Sequence, residues 1–529
     1  MNVIKSIFTV GGYTTLYRIT SVIRDALQTA VLGAGPITDA FAVAFKLANL
    51  LRKLFAEGAF NAAFLPRFVN VLSKDGKIAA SVLASQVLSQ LALILTIFAV
   101  LCLSCFPSLI KALAPGFAVG SVQYSYAVEF GYICFPFAIT SFIAALFGGI
   151  LNAFNKFAVP AAVQMMLNIC LIMALLFGYF ELPKVGNMMA WATMTAGILQ
   201  VMILWINVNR CGINVRITTR KPSAEAAAII KRIIPGAVGA GVWQINVFIG
   251  CISLASFLPS GSVSYVYYTD HINQIPLGII GVSLGTVLLP PLTKFLQNKD
   301  LRKGNAQFNM GIIFGLALIL PATVVLSVLA EPITAAFYGH GKFGSAEIHS
   351  AAPVLTAFAL GLPSYILTKI LSTAFFAQKN IKTPVIAGSI ALTANIASAF
   401  FFIQAFSQIG LGHVGIAAAI STSSWINVAV LYAAMVRRKQ LHILGRSWIV
   451  CLKLLLASGV MAASAYIIDL YTINLYVYGS FAQTMTVVMI VTVSGLIFWI
   501  LGKSLGCFKA IKELQTVASY NSTKEGELE

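Results

Sequence analysis

Apolar runs, each near the ~20 residues that cross a bilayer as a helix, recur along the chain, broken by short stretches rich in Gly, Pro, Lys and Arg. They predict fourteen spans, centred on residues 7–31, 38–66, 82–110, 122–151, 158–180, 187–208, 233–258, 264–293, 307–336, 351–377, 384–408, 413–435, 447–470 and 479–502. The ten-residue alternating segments of a membrane barrel do not occur. The predicted fold class is an all-α polytopic membrane protein of about 14 transmembrane helices. The first span carries internal charges and is followed by no convincing A-x-A cleavage site, so it reads as retained rather than as a removable leader.

The pattern is written twice. The second span ends AFLPRF (63–68) and the eighth ends VLLPPL (287–292), so Pro66 and Pro290 correspond. The turn FNKFAVP (154–160) after span four matches QKNIKTP (378–384) after span ten, pairing Pro160 with Pro384. Both pairs are 224 residues apart. Six spans per repeat is an even number, so the repeats enter from the same side: two parallel six-helix lobes around a central cavity. The expected organisation is an N-terminal lobe at 1–208, a basic cytoplasmic linker at 209–232 and a C-terminal lobe at 233–436. Spans thirteen and fourteen, at 437–503, and a cytoplasmic tail at 504–529 fall outside the repeat. Lobes around a cavity suit a transporter working by alternating access.

Composition sharpens this picture. Hydrophobic residues make up 59% of the 529 and charged ones only 10%, against about 25% charged in soluble domains. The net charge of +19 would suggest nucleic acid, but its placement does not. With the N-terminus inside, 25 of the 35 Lys and Arg residues fall at the N-terminus, in loops after even-numbered spans and in the tail; only Lys111, Lys184 and Lys342 lie in the opposite loops. That is the positive-inside pattern, with both termini cytoplasmic. The charge reports topology, and no nucleic-acid partner is expected.

Seven cationic residues remain within the spans, five of them in the first two: Arg18, Arg24, Lys46, Arg52 and Lys53. A charge at the bilayer centre costs at least ~2.5–3.5 kcal/mol on insertion scales, so such residues face protein or water. Arg18 and Asp25, seven apart, lie within about 20° of each other around a helix. Tyr17, Thr14, Ser21 and Gln28 extend the polar stripe. Asp25 is a partner for an arginine or a gating group. Asp39, after Thr38 at the start of span two, suits a helix N-terminus or a gate. Lys46 and Lys53 are candidate cavity charges, and Glu57 a partner or gate for Arg52. Carboxylates are too few to neutralise Arg18, Arg24 and Arg52 one by one, so the cavity calls for an anionic ligand. The planar guanidinium fork fits phosphate oxygens bidentately. The second half offers Asp270 and His271, the latter a side chain that ordinarily titrates between pH 5 and 8.

The sequence has no HExxH and no Walker loop, and Gly281 and Gly285 of the eighth span read as a close-packing GxxxG. The chain reads as a non-enzyme without its own ATPase. Cys102 and Cys105 form a CxxC inside apolar LCLSCF, which favours packing over metal or redox use. No metal site is expected.

RDAL…LGAGPITDAFAVAFKLANLLRKLFAEGAFNAAFLP (24–66) resembles the signature region of the MurJ/MviN lipid II flippases of the multidrug/oligosaccharidyl-lipid/polysaccharide exporter superfamily. YYTDHINQIPLGIIGVSLGTVLLP (267–290) resembles that family's eighth span. The resemblance implies a multi-pass protein of the bacterial inner membrane that moves undecaprenyl-pyrophosphate-linked peptidoglycan precursor, lipid II, to the outer leaflet. It implies substrate-cavity roles for Arg18, Arg24, Arg52 and His271, and pairing or gating roles for Asp25, Asp39, Glu57 and Asp270. Spans thirteen and fourteen would form a groove for the lipid tail. Membrane lipids and cell-wall synthesis enzymes are the further implied partners.

The chain departs from the family pattern where Asp-Arg is usual: it has Asp270-His271, and a downstream carboxylate position reads Gln274. Relatives that bind sodium use carboxylates in the C-terminal lobe. Spans seven, eleven and twelve have none here, only groups such as Asn246 and Asn395, which speaks against sodium coupling. No cofactor is expected, and the membrane potential is the candidate energy source. The alternatives are export of another polyprenyl-pyrophosphate glycan, an antiporter like the multidrug (MATE) exporters, and a non-transporting scaffold for envelope synthesis.

Overall fold

The computed structural model describes residues 3–53, 60–179, 184–218, 223–233, 248–298, 300–378, 380–438, 441–472 and 480–519. They are helical nearly throughout, and among them there is no strand. Ten helices among the described residues are long and apolar enough to cross a membrane, and they coincide with predicted spans three to six and nine to fourteen. The other four predicted spans include the charge-bearing ones. Span one is α1 (Val3–Leu32) and span eight is α10 (Ser262–Gln297), both long enough to cross. Span two is α2 (Pro36–Leu51) with the start of α3 (Phe60–Ser104). Span seven lies largely outside the described residues. The chain is an all-α polytopic membrane protein.

By its internal contacts the chain divides into two compact units, residues 1–264 with 340–343, and residues 265–339 with 344–529. The first continues from α3 through α4 (Phe106–Leu113), α5 (Val122–Cys134), α6 (Pro136–Ala153), α7 (Ala158–Val163), α8 (Met165–Gly178) and α9 (Val185–Asn209). α3 is two helices joined at Gly76, whose φ of 78° is open to glycine without a Cβ penalty. Phe60, Phe64 and Phe68 recur one turn apart on its first part and stack at 5.2 Å. They anchor a buried cluster with Leu146, Ile150, Leu204 and Ile229. Within the basic stretch, the N–H groups of Asn214, Arg216 and Thr218 donate to the hydroxyls of Ser81, Ser85 and Ser89. Two extended residues advance about as far as one helical turn, so alternate N–H groups meet every fourth serine. α9 approaches α6 at Gly197, where a Cβ would lie 2.1 Å from Thr140 Oγ1.

The second unit holds most of α10, then α11 (Leu301–Val328), α12 (Ala330–Tyr338), α13 (Ser345–Ala359), α14 (Leu362–Ala377), α15 (Lys382–Ser407), α16 (Gly412–Arg438), α17 (Gly445–Thr472), α18 (Ser480–Ser504) and α19 (Cys507–Ser519). α15 packs along α16, and α17 packs on both α11 and α18. The repeat is legible inside each unit. The N–H groups of Phe154 and Lys156 both donate to Leu151 O, and those of Gln378 and Asn380 both donate to Phe375 O, 224 positions on. These are helix C-terminal hooks, closing the last turn before the chain reverses. Pro160 and Pro384 then each occupy the third position of the next helix.

Candidate functional site

α1 turns Arg24 towards α8. Arg24 is 4% exposed and Asp25 3%. The Arg24 guanidinium donates to Asp25 Oδ1 from Nε at 3.0 Å and from Nη2 at 2.5 Å. Its Nη1 donates to Asn168 Oδ1 of α8 at 3.0 Å. The Asn168 amide closes the network by donating to Tyr17 O at 3.2 Å and Thr20 Oγ1 at 3.1 Å. A buried ion pair is tolerated when its geometry is good and its remaining donors are satisfied, and Asn168 supplies that completion. One turn on, Gln28 is 1% exposed and neither of its polar atoms has a partner. Arg18 is half-buried on the same helix.

Asp39 is 1% exposed in the first turn of α2. Its carboxylate does not serve its own helix. It accepts from Gly261 N at 2.7 Å, Ser264 N at 2.8 Å and Ser264 Oγ at 2.5 Å, and so caps the first turn of α10. Thr38 donates its hydroxyl to Gly33 O at 3.0 Å. Lys46, Arg52 and Lys53 are half-buried towards the end of α2. Arg52 is held by Asn49 one turn back, whose Oδ1 accepts from Nε at 2.9 Å and Nη2 at 2.7 Å. Glu57 lies outside the described residues.

Arg52 also lines a cavity of about 180 Å³ within the first unit. Its polar wall is formed by Tyr17 of α1, Ser141 and Asn152 of α6, Gln164 just before α8, and Gln200 of α9. Ser141 donates to Phe137 O at 2.8 Å.

In the second unit, Asp270 Oδ2 accepts from Gln274 Nε2 at 2.8 Å, one turn along α10. The His271 ring sits 4.4 Å from that of Tyr267, one turn back. Among the described residues no three or more His, Cys, Asp and Glu residues cluster as for a metal ion. Asn395 is buried in α15, and Asn246 lies outside the described residues. The Cys105 thiol donates to Leu101 O at 3.2 Å.

Sequence reasoning found the arginines and missed the Arg24 partner Asn168 and the carboxamides of the cavity wall. Asn168, Asn152, Gln164 and Gln200 each interrupt an otherwise apolar stretch. That was the available signal, since a polar side chain at membrane depth is expensive unless it is used.

The Arg52 guanidinium beside a polar cavity within a bundle of membrane helices suits one class, a membrane transporter for an anionic or polar solute. A solved inward-facing MATE transporter of the MOP superfamily has the same fold, with a TM-score of 0.66 at 15% identity, over 80% of this chain and 94% of that one. A family model described as "Lipid II flippase MurJ" matches residues 29–487, and the chain belongs to that family. A "Probable lipid II flippase MurJ" of Rhizobium meliloti is 32% identical over 475 residues, 88% of this chain and 87% of the relative. A solved "Lipid II flippase MurJ, inward closed conformation" superposes with a TM-score of 0.75 at 25% identity, covering 93% of this chain and 98% of that one. The protein is a multi-pass bacterial membrane protein and a transporter.

Proposed function

We propose that this protein moves lipid II from the cytoplasmic to the periplasmic leaflet by alternating access, without chemical change to the lipid. Membership of the flippase family carries the reading. The Lys and Arg asymmetry supports the direction, since it puts both termini on the cytoplasmic side. In this reading Arg52 and Arg18 meet the pyrophosphate, and His271 contributes on the second unit. Arg24 and Asp25 hold the shape of α1, while Asp39, Glu57 and Asp270 act in pairing or gating. Lys46 and Lys53 add positive potential that draws the anionic headgroup. Cell-wall synthesis enzymes are the natural suppliers and users of such a lipid.

Binding to the purified protein tests the reading. Lipid II should be retained over a polyprenyl lipid lacking pyrophosphate, and Arg52→Ala should narrow the difference. Equal retention of both lipids by wild type would overturn it. The energy source in this reading is the membrane potential, worth about 2.3 kcal/mol per charge per 100 mV, resetting a cationic empty carrier inwards without sodium. Collapsing the potential in lipid II-loaded proteoliposomes should slow flipping, and an unchanged rate would sink this part.

A further inference from the structure

Among the described residues that line the cavity, Arg52 is the only charged one, and the chemistry of the rest differs from that of a phosphate clamp. Asn152, Gln164 and Gln200 bring three carboxamides to one wall from three segments of the first unit. Gln200 is 9% exposed. Among the described residues, none of the three side chains has a hydrogen-bond partner, and neither has the Tyr17 hydroxyl. A carboxamide offers two N–H donors and one carbonyl acceptor. A pyrophosphate offers acceptors only, so it would leave three carboxamide oxygens without donors. Hydroxyl and acetamido groups both donate and accept, and they would satisfy both ends. The volume of about 180 Å³ has room for on the order of ten waters, the size of one sugar ring and far short of a whole headgroup.

We infer that this cavity is a carbohydrate subsite: Asn152, Gln164 and Gln200 hydrogen-bond the sugar next to the pyrophosphate that Arg52 holds at the cavity edge. The inference rests on the lipid II reading and adds to it the residues that recognise the uncharged part of the headgroup. The subsite makes the protein select glycan-bearing lipid over the same lipid without its sugars. Selection of that kind comes from buried polar groups that are left unpaired when the wrong ligand binds.

The test measures binding of lipid II and of undecaprenyl pyrophosphate to the purified full chain. Gln200→Ala and Asn152→Ala should each weaken lipid II binding roughly five- to tenfold and leave undecaprenyl pyrophosphate binding unchanged. Arg52→Ala should weaken both. Gln164→Leu changes a side chain exposed at the cavity mouth, so it reports even if the more buried variants fold poorly. Carboxamide variants that bind lipid II like wild type would show a wall that only holds water, and would overturn the subsite while leaving the flippase reading intact. Equal weakening towards both lipids would overturn it too. If wild type held neither lipid, the flippase reading itself would fall, and the subsite with it.

Discussion

α1 and α10 each place an acid beside a base within the membrane, and they treat the pair differently. In α1 the Arg24 fork reaches Asp25 directly, both side chains are buried, and Asn168 of α8 takes the remaining guanidinium donor. In α10 Asp270 takes an amide hydrogen from Gln274 while the His271 ring leans on Tyr267. Adjacent residues on a helix point about 100° apart, so the i,i+1 spacing favours neither outcome. Side-chain length decides. An arginine can fold back over its own helix to a neighbouring carboxylate, while an imidazole is held close to its backbone and packs against the turn before it. The first arrangement is a permanent charge locked in a completed network. The second is an imidazole packed on an aromatic neighbour.

The largest effect that separates them should come from Arg24→Ala. It leaves the Asp25 carboxylate buried without its guanidinium, a loss of about 3–5 kcal/mol, readable as a lowered denaturation midpoint in detergent together with failed complementation of a flippase-depleted strain. Arg24→Lys restores the charge but not the fork and should complement only partly. Full activity of the lysine variant would break the claim that geometry matters in α1. Asn168→Leu is the intermediate case. It strands one Arg24 donor at a cost of about 1–3 kcal/mol, and an unchanged midpoint would show that Asn168 is dispensable to the network. The smallest effect is expected at α10. His271→Arg should keep flipping within about threefold of wild type. A folded but inactive variant would mean that the histidine does something a fixed cation cannot.

Which parts of this were legible beforehand follows from distance along the chain. The spans were legible because an apolar run of the right length has few other uses. α1 and α10 also carry the charges that point to function. Arg52 and Asn49, three apart on one helix, were within reach of helical periodicity. Arg24 and Asn168 were not, because 144 residues separate them. Asp39 shows the limit most clearly. Its position in the first turn of α2 suggests a cap for α2, but the carboxylate caps α10 instead, through residues 222 and 225 positions away. Local sequence names the kind of partner a carboxylate wants and leaves open which helix provides it.

The hooks at Leu151–Lys156 and Phe375–Asn380 carry a consequence of another kind. The same pair of hydrogen bonds is drawn 224 positions apart by different side chains, Leu151 against Phe375 and Lys156 against Asn380. The corners of the chain are written in backbone atoms that any residue supplies. The vocabulary between the stops is free to differ. Both units bury polar side chains among their helices, Arg24 and Asn168 in one, Asn305 and Asn309 in the other, with no change to the corners that close both turns.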